Sequence, residues 1–406
     1  MAEQYDVLIL DGSHKHSLTS ARSLARAGLR VAIGESIGQY PPHHTPPALQ
    51  SRYCAYALVL PDYVTEPAAY VDALLAFVRE HGVKVVLPVG DANITLLAPQ
   101  RERFTELGAF VAVASDAALE VANDKTRTLE VASKLDIDYP KSVTVRAVED
   151  LRAAEEQFGY PFVLKPTVSW TGAVANRMVP LEVMNMAEAT EATTRFLATG
   201  CDVIAQQLAT GRREGVSLFI VNGELFAYCG CWAERTTPPL GGVSVMRESI
   251  PVSEELLNAA VSLANAIGVE GPSEVEFRYD ANGNPLLMEI NARLAGTLEN
   301  AIHSGVDFPQ MIWQWGTGQP IDKVTSYKTG VRTRWLAGDL RWLWDGVMQS
   351  GRPDTVPLGR GLLTFTGEFF RTRHYDFVDP RDMRPAFAEV WDTLGIVRKQ
   401  WDNRKN

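Results

Sequence analysis

Four cysteines in 406 residues (Cys54, Cys201, Cys229 and Cys231) are too few, and too unevenly spaced, for a disulfide framework or a zinc site built from paired C-x-x-C units. Cys229-Gly230-Cys231 lies in a strand-like run and reads as core filler. Positive charge is also scarce. The formal net charge is −10 and the pI about 5.3, which argues against a general nucleic-acid binder, since phosphate backbones demand clustered cations. No apolar run approaches the length of a membrane span, and the one after the acidic N-terminus is short for a signal h-region, so a cytoplasmic protein in a reducing compartment is expected. The chain has no G-x-G-x-x-G, no G-x-S-x-G, no H-E-x-x-H and no internal repeat. Dinucleotide binding, a serine nucleophile and a zinc peptidase are therefore all unsupported.

What is present is length, 46% hydrophobic content and a regular alternation of elements. The size predicts two or three domains. Val7–Leu10, a helical pattern over about 18–27 and Arg30–Gly34 form a β-α-β opening. Tyr56–Leu60, a helix near 67–80 and Val83–Pro88 continue it, which predicts an N-terminal parallel α/β domain over 1–120. Ligands of such sheets bind beyond the carboxyl ends of strands, so Ser13, His14 and Asp91 are candidates to face a substrate, or simply turn and cap residues. His43 and His44 fall in a proline-rich loop and read as solvent-exposed or substrate-facing.

The densest chemistry lies further on. Val275-Glu276-Phe277-Arg278-Tyr279 alternates, a turn follows over 280–285, and Leu286–Asn291 reads as a second strand. This hairpin brings Glu276, Glu289 and Asn291 near one another. Two carboxylates and a carboxamide are the hard oxygen donors that Mg²⁺ takes together with substrate phosphates, and Arg293 adds a forked anion donor. As isolated strand residues, the glutamates could equally be solvated partners of basic neighbours. Lys165 ends the apolar strand Phe162–Pro166 before a loop of small residues, so its stem is packed and its ammonium aimed at whatever that loop covers. Lys125 opens a helix, where a cation opposes the dipole. Arg235 and Arg247 flank Gly241-Gly242, and either can meet a substrate carboxylate or triphosphate, or form an ordinary salt bridge.

Taken in order, Asn123-Asp124-Lys125, Tyr160–Pro166, the loop Ser169–Ala173, Gln206-Gln207-Leu208, Glu214 and the Glu276…Glu289-Ile290-Asn291-Ala292-Arg293 ending resemble the ATP-grasp superfamily, of the carboxylate–amine ligase type, over roughly 120–320. The resemblance implies an α/β fold, α+β in the ATP-grasp part, with three regions. These are a pre-ATP-grasp domain, a two-lobed ATP-grasp domain over 121–322 with a small lobe at about 140–207, and a C-terminal cap or dimer-contact region over 323–406. It implies ATP with Mg²⁺ or Mn²⁺, usually two ions, held by Glu276, Glu289 and Asn291. It places Lys125, Lys165, Ser169 and Gly172 at the phosphates, Gln206, Gln207 and Leu208 at the adenine edge, and Glu214 at the ribose. Arg293, with Arg247 and Arg235, would stabilise transferred charge. The implied reaction joins a small-molecule carboxylic acid to an amine through an acyl phosphate. A carboxylase, a carbamoyl-phosphate-forming enzyme or a non-catalytic ATP binder are the alternatives. The chain departs from the family at Gln207, often acidic there, and at Trp170-Thr171-Gly172, where consecutive glycines are common.

The last 80 residues are rich in tryptophan and arginine. A basic-aromatic mix can bind single strands, but the acidic net charge and the helical spacing of Trp335, Leu336, Leu340 and Leu343 predict a packed cap instead.

Overall fold

The computed structural model describes residues 3–40, 45–168, 180–239 and 241–402. Three sheets organise the described residues, and together they give a mixed α/β architecture. The first is wholly parallel, in the order β3-β2-β1-β4-β5, from β1 (Val7–Ile9), β2 (Val31–Ser36), β3 (Tyr56–Leu60), β4 (Val85–Leu87) and β5 (Phe110–Val111). Its crossover helices Lys15–Arg26 and Pro67–His81 are the two that the apolar periodicity predicts.

Strand order reverses direction between β1 and β4, which opens a crevice at their carboxyl ends. Asp11 spans it. This residue adopts φ +58°, which an aspartate tolerates, and its carboxylate accepts from Gly90 N at 2.8 Å and Asn93 Nδ2 at 2.6 Å. Ser13 donates its N–H to Glu35 at 2.7 Å, and His14 is exposed at the start of the following helix.

The second sheet, in the order β6-β9-β7-β8, is antiparallel: β6 (Ser142–Val145), β7 (Phe162–Pro166), β8 (Leu181–Val183) and β9 (Val203–Gln207). Val145, Phe162, Leu164, Val203 and Ala205 pack against the helices Leu151–Phe158 and Met186–Leu197. Strand alternation then turns Ser142, Thr144, Val163, Lys165, Ile204 and Gln206 to the helix-free face.

The third sheet has seven strands, in the order β14-β13-β10-β11-β12-β15-β16: β10 (Arg213–Val221), β11 (Glu224–Thr237), β12 (Val243–Ile250), β13 (Gly271–Tyr279), β14 (Pro285–Asn291), β15 (Arg332–Arg334) and β16 (His374–Tyr375). Asn222 and Gly223, with φ of 52° and 76°, close the β10–β11 hairpin as that Asn-Gly pair predicts. Val216, Leu218, Val275, Phe277 and Ile290 bury one face under the helices Asp116–Ala122, Lys125–Lys134 and Glu254–Ile267.

The C-terminal residues do not merely cover this sheet, because β15 and β16 extend it. The helix Leu336–Met348 buries Ala337, Asp339 and Trp342. Of the residues whose spacing predicted a packed cap, Trp335, Leu336 and Leu343 are partly buried, while Leu340, with Trp344, Val347 and Met348, is about half exposed. Among the described residues no helix is long and apolar enough to cross a membrane.

Candidate functional site

Strands β13 and β14 pair so that Glu276 stands directly opposite Glu289 and Glu274 opposite Asn291. All four side chains share one face, because alternation repeats every two residues. Asn291 Nδ2 lies 3.5 Å from Glu276 Oε1 and 3.4 Å from Glu289 Oε1, long for hydrogen bonds, with its partial positive charge between the two carboxylates. A half-turn of that amide would replace Nδ2 with Oδ1 and give three oxygen donors around one point. Among the described residues no group of three or more His, Cys, Asp and Glu side chains could hold a metal by itself. Two carboxylates and one amide oxygen nevertheless fit an ion such as Mg²⁺ that leaves positions open for phosphate oxygens.

Four cations face these carboxylates. Arg213, at the start of β10, donates from Nη2 and Nε to Glu276 Oε2 at 2.5 and 2.9 Å. Arg293 donates from Nη2 to Asn291 Oδ1 at 3.0 Å and forms an ion pair through Nε with Asp91, from the crevice end of the parallel sheet. Burial works against the Arg293 charge, but Asp91, then Glu289 and Glu274, outweigh it and raise its pKa. Lys165 is buried on the helix-free face of the second sheet, where Nζ donates to Gln206 Oε1 at 2.6 Å. Burial lowers its ammonium to about 8; Glu289 opposes that shift, while Lys125 and Arg213 add to it. Lys125 is also buried, and its backbone N–H donates to Thr167 O at 2.9 Å, which seats the N-terminus of the helix Lys125–Lys134 beside the end of β7. Asp124 caps that helix by accepting from the N–H groups of Thr126 and Arg127.

The other expected residues fall into four groups. Gln206 is buried and donates from Nε2 to Ser142 Oγ at 3.1 Å, whereas Gln207 is exposed and Leu208 half-buried after it. Glu214 is buried at the start of β10, where it accepts from Tyr279 Oη at 3.0 Å and pairs with Arg212 at 2.7 Å. Ser169 and Gly172 lie outside the described residues, as do His43 and His44. Arg247 and Arg235 are engaged elsewhere. Arg247 donates to Asp376 at 2.5 Å and to Gly296 O at 2.8 Å, with no exposed side-chain surface. Arg235 donates from Nε and Nη2 to Asp339 at 2.8 and 2.9 Å and stacks on Trp342.

Sequence reasoning did not single out Arg213 or Glu274. Starting β10 at Arg213 rather than Val216 would have placed Arg213 and Gly215 on the face of Glu276. Glu274 is two residues before Glu276 on that same face, and it accepts from Thr297 Oγ1 at 2.8 Å. Burial, then repulsion from Glu276, raises its pKa to about 7.

Two cavities flank the helix Lys125–Lys134. One of about 410 Å³ runs along the edge strand β14, from Met288 to Arg293, against Asp91, Leu119 and Lys125. The other, of about 400 Å³, lies between that helix and Ser142, Thr144 and Ile204 on the helix-free face of the second sheet. Each is large enough for part of a small-molecule ligand.

Comparison with known proteins bears directly on this arrangement. Residues 234–338 match a family described as ATP-grasp in the biosynthetic pathway with Ter operon. Over that segment, about a quarter of its length, the chain is similar to an ATP-grasp family. A D-alanine–D-alanine ligase of Anaplasma marginale is 27% identical over 206 residues, 48% of this chain and 58% of the relative. A probable alpha-L-glutamate ligase of Rhodopirellula baltica is 26% identical over 245 residues, 56% of this chain and 58% of the relative. The chain thus spans a little over half the length of these relatives. Among solved structures, a biotin carboxylase from Campylobacter jejuni superimposes with a TM-score of 0.63 at 16% identity, over 81% of this chain and 74% of the other. An L-amino acid ligase from Bacillus licheniformis gives 0.57 at 17%, over 77% and 74%. At these identities the structures show the fold alone.

Proposed function

We propose that the chain is an ATP-dependent ligase that activates a small-molecule carboxylate as an acyl phosphate and transfers the acyl group to an amine, releasing ADP and phosphate. One observation carries the reading: Lys125, Lys165, Arg213 and Arg293 converge on the Glu276–Glu289–Asn291 cluster, between the helix-free face of one sheet and the paired edge of another. A site with this many opposed charges is suited to a polyanion with its counter-ion.

Lys165 and Lys125 would hold the triphosphate, with the Lys165 ammonium oriented by Gln206. Glu276, Glu289 and Asn291 would hold a divalent ion, which neutralises charge on the phosphate oxygens during transfer. Arg293, fixed by Asp91, would present its fork where negative charge gathers on the transferred phosphoryl group. A carboxylate oxygen of the acid substrate attacks the γ-phosphorus and ADP leaves. The amine then attacks the acyl carbon and phosphate leaves. The protein need not supply a nucleophile, and its thiols are poorly placed to do so: burial pushes Cys54 up to about 11 and Cys229 up to about 12.

The test is ADP and phosphate release from Mg·ATP across carboxylic acids, each with and without amines. Release that needs both, with a product one water lighter than their sum, supports the ligase. Release that needs bicarbonate and no organic acid would move the reading to a carboxylase. Tight Mg·ATP binding without release from any pair, bicarbonate included, would favour a nucleotide sensor.

A further inference from the structure

Arg213 touches two things at once. Its Nε and Nη2 share a single oxygen, Glu276 Oε2, at 2.9 and 2.5 Å, and its Nη1 donates to Gly242 O at 2.7 Å. All three guanidinium nitrogens are therefore committed. Gly242 lies in the turn between β11 and β12, where a side chain has no room: a Cβ there would come within 2.2 Å of the Thr237 backbone. The same turn approaches the second sheet, since a Cβ on Gly241 would lie 3.9 Å from Pro180, just before β8. On its other side Thr237 Oγ1 donates to Asp345 at 2.6 Å. The turn is thus held between the helix Leu336–Met348 and Arg213.

We infer that Arg213 is a positioning residue that couples the carboxylate cluster to the β11–β12 turn. With Oε2 taken by Arg213, Glu276 keeps Oε1 turned toward Asn291 and Glu289, the direction in which an ion would bind. Ligating carboxylates are commonly fixed by a hydrogen bond to the other oxygen. A divalent ion on Oε1 draws negative charge away from Oε2, which weakens the hold on Arg213 and, through the same guanidinium, on Gly242. Occupancy of the cluster and the position of the turn therefore become one equilibrium with two readouts. The inference rests on the ligase reading only in taking Glu276 as a metal ligand.

The experiment measures hydrogen exchange at residues 236–243 and Mn²⁺ binding by electron paramagnetic resonance, in the full chain, without and with Mn²⁺ while ADP is present throughout. In the wild type Mn²⁺ should raise exchange at the turn by about tenfold, the loosening expected from one weakened hydrogen bond. In Arg213→Met exchange should already be high without the ion, and the Mn²⁺ response should vanish although Mn²⁺ still binds. Arg213→Lys, whose single ammonium cannot span both partners, should retain Mn²⁺ binding with a diminished response. Asp345→Ala, which loosens the turn from its other side, should raise basal exchange yet keep the Mn²⁺ response, and so separates coupling from general loosening. A Mn²⁺ response that persists in Arg213→Met, or a wild-type turn indifferent to bound Mn²⁺, overturns the coupling and leaves the ligase reading standing. A wild type that binds neither ADP nor Mn²⁺ overturns both.

Discussion

Two groups of buried arginines and carboxylates lie in the third sheet and its surroundings, and they differ in how their charges are matched. On β11, β12 and β15, Arg235 and Arg334 share Asp339, while Arg247 and Lys15 share Asp376. The side chains of Arg247 and Asp376 are 0% and 1% exposed. Arg235 meets Asp339 across 104 residues and Arg247 meets Asp376 across 129. Burial disfavours the Asp376 carboxylate, but Arg247 and Lys15 outweigh it and lower its pKa. On β10, β13 and β14 the cluster of Arg213, Glu274, Glu276, Glu289 and Arg293 is more open, with Glu276 13% and Arg213 21% exposed. Its balance is strained: Glu274 is raised to about 7 and the neighbouring Lys165 lowered to about 8. In the first group each acid joins two cations from packed segments. Burial lowers Lys15 there to about 8, as it does Lys165 beside the second group, so displaced protonation is common to both. What sets the second group apart is the cavity that Glu289, Asn291 and Arg293 line.

The largest effect that probes this contrast should come from Asp376→Ala. It strands Arg247 and Lys15 without a counter-charge and should cost about 3–5 kcal/mol in urea unfolding. If Arg247 instead serves the reaction, Arg247→Lys would lose ligase turnover at an unchanged melting temperature, and the contrast would break. Glu289→Gln should do the reverse of Asp376→Ala, cutting ATP-dependent turnover by about 100-fold or more while the melting temperature holds.

Glu274→Gln gives a smaller effect that depends on pH. A carboxyl raised in the folded state favours folding while protonated, and that contribution is lost as pH rises from its unfolded value of 4.5 through about 7. The variant should therefore match the wild type near pH 4.5 and be more stable above pH 7, by up to about 3 kcal/mol; equal stability at pH 8 would refute the strain. Lys165 has the opposite sign. Its lowered pKa means that burial costs stability below about 8, a cost that fades as pH rises toward 10.5. The charge that would hold phosphate is lost over the same climb, so ATP affinity measured by calorimetry should weaken from about pH 8 upward, and Lys165→Met should flatten that dependence. At the bottom of the scale, removing the exposed Arg103–Asp72 pair with Arg103→Ala should leave the melting temperature unchanged.

Much of the arrangement could be read locally. The crossover helices follow from apolar periodicity, the β10–β11 hairpin from Asn222-Gly223, and the pairing of Glu276 with Glu289 from alternation on either side of one short turn. The Leu336–Met348 helix was legible as a helix but not in its orientation, because apolar residues fall on both sides of it and neighbouring strands choose which side is buried. The roles of the arginines were the least legible part. Arg247 and Arg293 look alike as residues near a glycine-rich turn and a conspicuous acidic motif.

The sequence by itself determined the strands, the turns and hence which carboxylates face one another, because register across a hairpin depends on a handful of adjacent residues. Only the tertiary structure decided which cation each acid receives. Arg293 meets Asp91 across 202 residues, Arg247 meets Asp376 across 129, and Arg213 meets Glu276 across 63. Such pairs have no period and no local spacing. They exist where packed sheets bring distant chain segments within a few ångströms, and the interior's poor screening of charge then decides which pairs persist.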